Sequence, residues 1–230
     1  MDSIAEVVGE DQGFDPATSE RVFTLLADNY LEMVALGPML ARLADIGPNL
    51  GLQNILPETL DYVTAMRDMK VDAALYFKLP KFDKIDKKLI GHARVCVVCR
   101  EGHPRIKEAI TQAQYKAEKH VFLEDSSTGP SLLEQGMDIA ISPAKIKLFV
   151  HNFTAMASVV KHTDLLGTMP LEIARLFQQA MGLRILSFPF KNSQVPIWLF
   201  WPSALNNDPG HGWFIQFLIE ANNGSQSANQ

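Results

Sequence analysis

Val71-Asp72-Ala73-Ala74-Leu75-Tyr76-Phe77 is the stretch on which the fold turns. Only Asp72 interrupts its apolar run. A strand with one wet face alternates apolar and polar residues, whereas a strand covered on both faces reads as a continuous apolar run. This stretch therefore predicts an inner strand of a sheet with helices on either side. Upstream, Pro57-Glu58-Thr59 opens a helix through Met69 that turns Leu60, Val63 and Met66 inward, and Leu50–Leu56 reads as the strand before it. Leu36, Met39, Leu40 and Leu43 recur at helical spacing within Leu31–Ile46, and Gly47-Pro48 stops that helix. Gly37-Pro38 lies inside it. Proline suits a first turn and not a helix interior, so the regular helix is expected to start near Gly37, after a looser turn. Val22–Ala27 is the first strand. Downstream, Pro80–Lys88 reads as a charged loop and Leu89–Arg100 as a long strand.

The alternation resumes beyond Arg100. A short helix over Glu108–Tyr115 leads to a strand over His120–Glu124, then to the turn-rich Asp125-Ser126-Ser127-Thr128-Gly129-Pro130 and a helical turn over Ser131–Gly136. Lys145–Val150 is a strand, Phe153–His162 a helix capped by Asn152, Leu165–Thr168 a strand, and Leu171–Met181 a helix closed by Gly182. Leu183–Phe188 and Ile197–Trp201 are strands. Pro209–Ala221 is a last helix bearing Trp213, Phe214, Phe217 and Leu218, and the polar residues 223–230 read as a disordered tail. Repeated strand–helix–strand units imply α/β architecture with mainly parallel sheets. Two batches of such units imply two Rossmann-like lobes.

Composition excludes several functions. The 230 residues are 47% hydrophobic and 20% charged, enough for a sizeable core. The longest apolar runs, such as Val195–Trp201, fall well short of the ~20 residues of a membrane-spanning helix. Met1–Asp11 is acidic and lacks the basic start and apolar stretch of a secretory signal, so a cytoplasmic location is expected. The formal net charge is -5, with no basic run beyond Lys84–Lys88. Gripping duplex DNA requires several phosphate-neutralising cations on one face, so this chain alone is not expected to do so. Cys96 and Cys99 sit three apart in a strand, their Cα atoms ~10 Å apart and their side chains on opposite faces. A disulfide requires less than ~7 Å, so two reduced, buried thiols are expected rather than a redox pair or sensor. The six histidines form no HxH or HExxH pattern, and no metal site is expected. There is no GxSxG elbow, P-loop or GxGxxG, so neither catalysis nor a cofactor is expected.

Several segments, in order, resemble the effector-binding domain of LysR-type transcriptional regulators, in the branch of nodulation and aromatic-degradation regulators. They are Phe14–Phe23, Leu25–Tyr30, Pro38–Leu43 with Pro48, Asp72–Leu75, Val95–Pro104 with its His103-Pro104 ending, Thr163–Pro170, Trp201, and Asp208–Trp213. The resemblance covers about residues 14–220. It implies a type 2 periplasmic-binding-protein-like fold. The first subdomain would be 14–96 plus 199–222 and the second 97–198, with crossing strands near Cys96–Arg100 and Val195–Phe200. It also implies a small-molecule effector between the lobes, an organic acid among the candidates, and side-by-side homodimers through Met39–Leu43 and the Met156–Val160 helix, or a tetramer at full length. Family members carry a winged helix-turn-helix and a linker helix ahead of this region, and DNA is bound through those parts. Only thirteen residues precede Phe14, so residues 1–13 are read as a linker remnant and the chain as a piece of a longer regulator. A transporter's free solute-binding protein shares the fold and is the competing reading.

In such a fold ligands sit at the carboxyl ends of strands, where helix starts present free N–H groups. That rule selects Asp28, Asn29 and Tyr30 after the first strand, Phe77 and Lys78 after the third, Ser127 and Thr128 in the turn-rich loop, Asn152 and Phe153 at a helix start, Thr168, and Trp201 near the second crossing. Hydroxyls and helix starts would hold an acceptor group. Tyr30, Phe77 and Phe153 would cover an apolar body. Most of these have structural roles open to them as well, Asp28 and Asn152 as helix caps and Tyr30 and Phe77 as core. His103-Pro104 reads as a strand-ending turn rather than a ligand.

Overall fold

A computed structural model describes residues 13–56, 62–77, 83–125, 129–130 and 141–227. Its strands are β1 (Val22–Ala27), β2 (Gly51–Ile55), β3 (Ala73–Tyr76), β4 (Ile85–Arg100), β5 (His120–Asp125), β6 (Gly129–Pro130), β7 (Ile146–Val150), β8 (Leu166–Pro170), β9 (Leu183–Ser187) and β10 (Gln194–Pro202). The helices are α1 (Asn29–Ile46), α2 (Tyr62–Arg67), α3 (Gln112–Ala117), α4 (Phe153–His162), α5 (Leu171–Met181) and α6 (Pro209–Ser227). Every residue of β3 is buried, as its apolar run requires.

β1 runs parallel to both β2 and β3, and β5 runs parallel to both β7 and β8. The sheets are nonetheless mixed rather than mainly parallel, because two strands run back across the molecule. β10 is antiparallel to β3 and to the first part of β4, from Arg94↔Gln194 to Ile85↔Pro202. From Val95 onward β4 changes partners and lies antiparallel between β8 and β9. One sheet is thus ordered β2-β1-β3-β10-β4 and the other β9-β4-β8-β5-β7, with β4 common to both. The switch falls at Arg94/Val95 on one crossing and between Ser187 and Gln194 on the other. Cys96 therefore belongs to the second sheet, and Gln194–Trp198 to the first, where β10 already pairs with β4.

Four further differences have clear physical causes. α1 is continuous from Asn29 despite Pro38: Asp28 caps it, and Tyr30, Leu31, Met39 and Leu43 bury its inner face while Gly37 and Pro38 stay exposed. Ile85–Lys88 is strand, not loop, since an edge strand carries charged side chains readily while its backbone pairs with Leu199–Pro202. α3 starts at Gln112, where Thr111 and Gln114 form a capping box. α6 runs past Ala221 to Ser227, because extending a formed helix adds one hydrogen bond per residue fixed. Residues 228–230 lie outside the described residues. α4 and α5 follow the sequence prediction, and α5 ends on Gly182 at φ 69°, a left-handed conformation that glycine adopts without a Cβ clash.

The first sheet is clasped by the C-terminal helix. The Phe23 and Phe214 rings stack 4.2 Å apart, and both side chains are fully buried. Beside them Arg21 donates to Asp208 at 2.8 Å and to Asp72 at 3.1 Å, Asp72 accepts from Thr24 N at 2.7 Å, and His211 Nε2 donates to the Asp72 carbonyl at 2.7 Å. This knot joins β1, the start of β3 and α6, and it explains why Asp72 interrupts the apolar run. Replacing Phe23 by Ala should cost about 3–5 kcal/mol in urea unfolding. A loss below about 1 kcal/mol would show that the stack is not a main anchor of this sheet.

Candidate functional site

Both sheets end in helix starts. Asp28 follows β1 and accepts from Leu31 N at 3.0 Å, so its carboxylate caps α1. The next two side chains stand at the carboxyl end of the sheet. Tyr30 is buried and lies 5.5 Å from the Phe77 ring in a stacked arrangement. Asn29 Oδ1 is buried and meets no hydrogen-bond partner among the described residues. From the second sheet, β8 runs into α5, whose first turn carries Glu172. Tyr30 donates its phenolic hydrogen to Glu172 Oε2 at 3.4 Å, so the starts of α1 and α5 meet across the two sheets. Burial first, and the Glu172 charge second, hold the Tyr30 phenol well above its usual range. α5 follows Pro170 and has no side-chain cap, so its first N–H groups are without that partner.

Cys96 lies on β4 close by. Its thiol donates to the Met169 carbonyl at 3.5 Å, and burial, reinforced by Glu172 and opposed by Arg175, pushes its pKa up to about 12. Cys99 is also buried and its pKa is raised by burial. Both cysteines are free, as their spacing in a strand predicted, and thiols whose ionisation burial opposes are poor nucleophiles.

The structure sorts the residues selected from sequence. Asp28, Asn29, Tyr30 and Phe77 come together. Lys78, Ser127 and Thr128 lie outside the described residues. Asn152 turns to its own helix, accepting from Ala155 N at 2.8 Å, and Phe153 is core at 2% exposure. Thr168 is buried and bonds the Tyr115 hydroxyl at 2.7 Å. Trp201 is displaced from the junction. β10 is antiparallel to β3 with Trp198 opposite Tyr76, so Trp201 lies toward the amino end of β3, where its Nε1 donates to Asn206. Glu172 was missed. The rule of helix starts covers it as well, since the helix over Leu171–Met181 was read from the sequence, but the selection stopped at Thr168. Among the described residues no group of three His, Cys, Asp or Glu is placed to hold a metal, and no helix is long and apolar enough to cross a membrane.

The model of the LysR substrate binding domain matches residues 17–223. The chain belongs to that family. Among curated relatives, the HTH-type transcriptional activator NagR of a Ralstonia species is 29% identical over 209 residues, 90% of this chain and 69% of the relative. Nodulation protein D 2 of Rhizobium tropici is 27% identical over 213 residues, 90% of this chain and 66% of the relative. A probable transcriptional regulator of Pseudomonas aeruginosa superposes with a TM-score of 0.78 at 26% identity, over 90% of this chain and 68% of that one. These relatives support the effector-binding domain of a LysR-type regulator in the branch read from the sequence, and not a transporter's solute-binding protein.

The second sheet holds a buried histidine that makes stability depend on pH. His120 is fully buried, donates from Nε2 to the Tyr115 carbonyl at 2.8 Å, and its Nδ1 meets no partner among the described residues. Burial holds its pKa below 6.5. The unfolded chain therefore binds this proton more readily than the folded one, and the sign follows: stability falls as pH drops below 6.5. The urea midpoint should decrease between about pH 7.5 and about pH 5.5, and His120→Gln should flatten that change. An equal decrease in the variant would assign the effect to other groups.

Proposed function

We propose that the domain senses a small molecule at the junction of α1 and α5. The Tyr30–Glu172 hydrogen bond carries this reading, because it marks where two helix starts on separate sheets share one space. Helix starts favour acceptor groups, Asn29 Oδ1 offers an unused acceptor, and the Tyr30–Phe77 stack suits a flat apolar body. A ligand bound there alters the Tyr30–Glu172 contact and favours one arrangement of the sheets over another, by as much as its affinities for the two differ. In a full-length regulator that preference passes through a dimer to DNA. An organic acid fits if its carboxylate meets the first-turn N–H groups of α5 and stays clear of Asp28 and Glu172. Lys78, Ser127 and Thr128 are assigned to the same site on sequence alone. This role is sensing rather than catalysis, and a cytoplasmic location accords with it.

A thermal-shift screen of aromatic acids and amides, followed by calorimetry, tests the site. A true effector should lose at least about tenfold in affinity in Phe77→Ala and in Asn29→Ala. Unchanged affinity in both variants would place the site elsewhere.

Burial also moves the dimer surface. Within the two segments read as pairing surfaces, Met39, Leu43, Met156 and Val160 are at most 4% exposed and face the core, whereas Leu40, inside Met39–Leu43, is exposed. Beside Leu40, α1 exposes Met33 and Ile46, and α5 exposes Leu176. We assign dimer contact to these residues. Leu40→Glu should convert the protein to a 25.6 kDa monomer in light scattering. A variant that stays dimeric would exclude this face of α1.

A further inference from the structure

The far end of the second sheet holds a cavity of about 530 Å³ lined by Arg105, Ala117, Glu118, Lys119, Asp164 and Leu165. Lys119 directly precedes β5 and Leu165 directly precedes β8, so the cavity lies at the amino ends of these strands, opposite the start of α5. Its volume falls within the range of small-molecule sites.

The charges there are arranged by a turn that the sensing site does not use. His103 is fully buried. Its Nε2 donates to the Asp164 carbonyl at 3.1 Å, and its Nδ1 accepts from Arg105 N at 3.3 Å and Ile106 N at 3.1 Å. The turn so fixed presents Arg105 to Glu118, which it holds through Nε at 2.7 Å and Nη2 at 2.8 Å. Arg100 holds Asp164 at 2.7 Å. Both carboxylates are thus neutralised by guanidinium groups. Arg105 Nη1 lies 4.0 Å from Asp164, too far for a hydrogen bond, and the Lys119 ammonium has no partner among the described residues. The lining thus carries two cations, Arg105 and Lys119, and two carboxylates, Glu118 and Asp164; Arg105 and Arg100, the latter from outside the lining, pair with the carboxylates, which leaves Arg105 Nη1 and Lys119 Nζ as open donors. Lys145, outside the lining, donates to the Ala117 carbonyl.

We propose that this cavity is a second ligand site, separate from the junction of α1 and α5, for a small anionic molecule. Its phosphate or carboxylate oxygens accept from Arg105 Nη1 and Lys119 Nζ, and its carbon body lies against Ala117 and Leu165.

Two-dimensional amide NMR of the whole chain, titrated with sodium phosphate and separately with sodium succinate at constant ionic strength, tests this. Saturable shifts are expected at the amides of Ala117–Lys119 and Asp164–Leu165. Lys119→Glu, at an exposed position, should weaken them by at least about tenfold, while Asn29→Ala at the opposite end of the molecule leaves them unchanged. Response to phosphate alone identifies a phosphoryl head, to succinate alone a carboxylate, and to both an oxyanion of either kind. No saturable shift with either anion, or undiminished shifts in Lys119→Glu, would overturn the proposal.

Discussion

Ile85–Arg100 is one unbroken strand hydrogen-bonded into two sheets. Its first part is held by β10 and its second by β8 and β9, with the change between adjacent residues, Arg94 and Val95. A strand transmits length and direction rigidly but bends where its partners change. The two sheets are therefore connected covalently and through hydrogen bonds while keeping a place where they can reorient. The antiparallel sense of the crossing strands is what leaves the parallel trios on either side with carboxyl ends that open onto helix starts.

The site proposed for sensing is a consequence of that layout. α1 and α5 begin on different sheets, and their first turns meet through a long hydrogen bond between a buried phenol and a carboxylate. A 3.4 Å contact is weak beside the 2.7–2.8 Å guanidinium–carboxylate bonds of Arg105 and Arg21. Among the described residues, these bonds inside each sheet are thus shorter than the Tyr30–Glu172 bond between the sheets. The buried, strongly protonated Cys96 beside this joint makes thiol chemistry an unsuitable signal there.

Much of the fold was legible in the residues. The run Val71–Phe77 predicted a covered strand, Asn152 and Gly182 predicted helix ends that the structure reproduces to the residue, and the cysteine spacing predicted separate thiols. What was hidden is what depends on partners distant in sequence. Lys87 and Lys88 look like loop until β10 is seen to pair with them. Pro38 looks like a boundary until the buried face of α1 is known. At the site, Asn29, Tyr30 and Phe77 followed from strand ends alone. Trp201 was misplaced because its strand runs opposite to the strands that set the rule, and Glu172 lay just beyond Thr168, where the selection stopped.

The knot of Arg21, Asp72, Asp208 and His211 also bears on how the chain is made. The second sheet is built from a contiguous segment that begins within β4. The first sheet requires β10 and α6, which follow the whole second sheet along the chain. Its early strands must wait, with Phe23 and the apolar face of α1 uncovered, until α6 arrives to close over them. Contacts this distant in sequence make loop closure slow. Of the two sheets, the one begun first is therefore completed last, and the interval before α6 docks is when nascent chains are most open to wrong association.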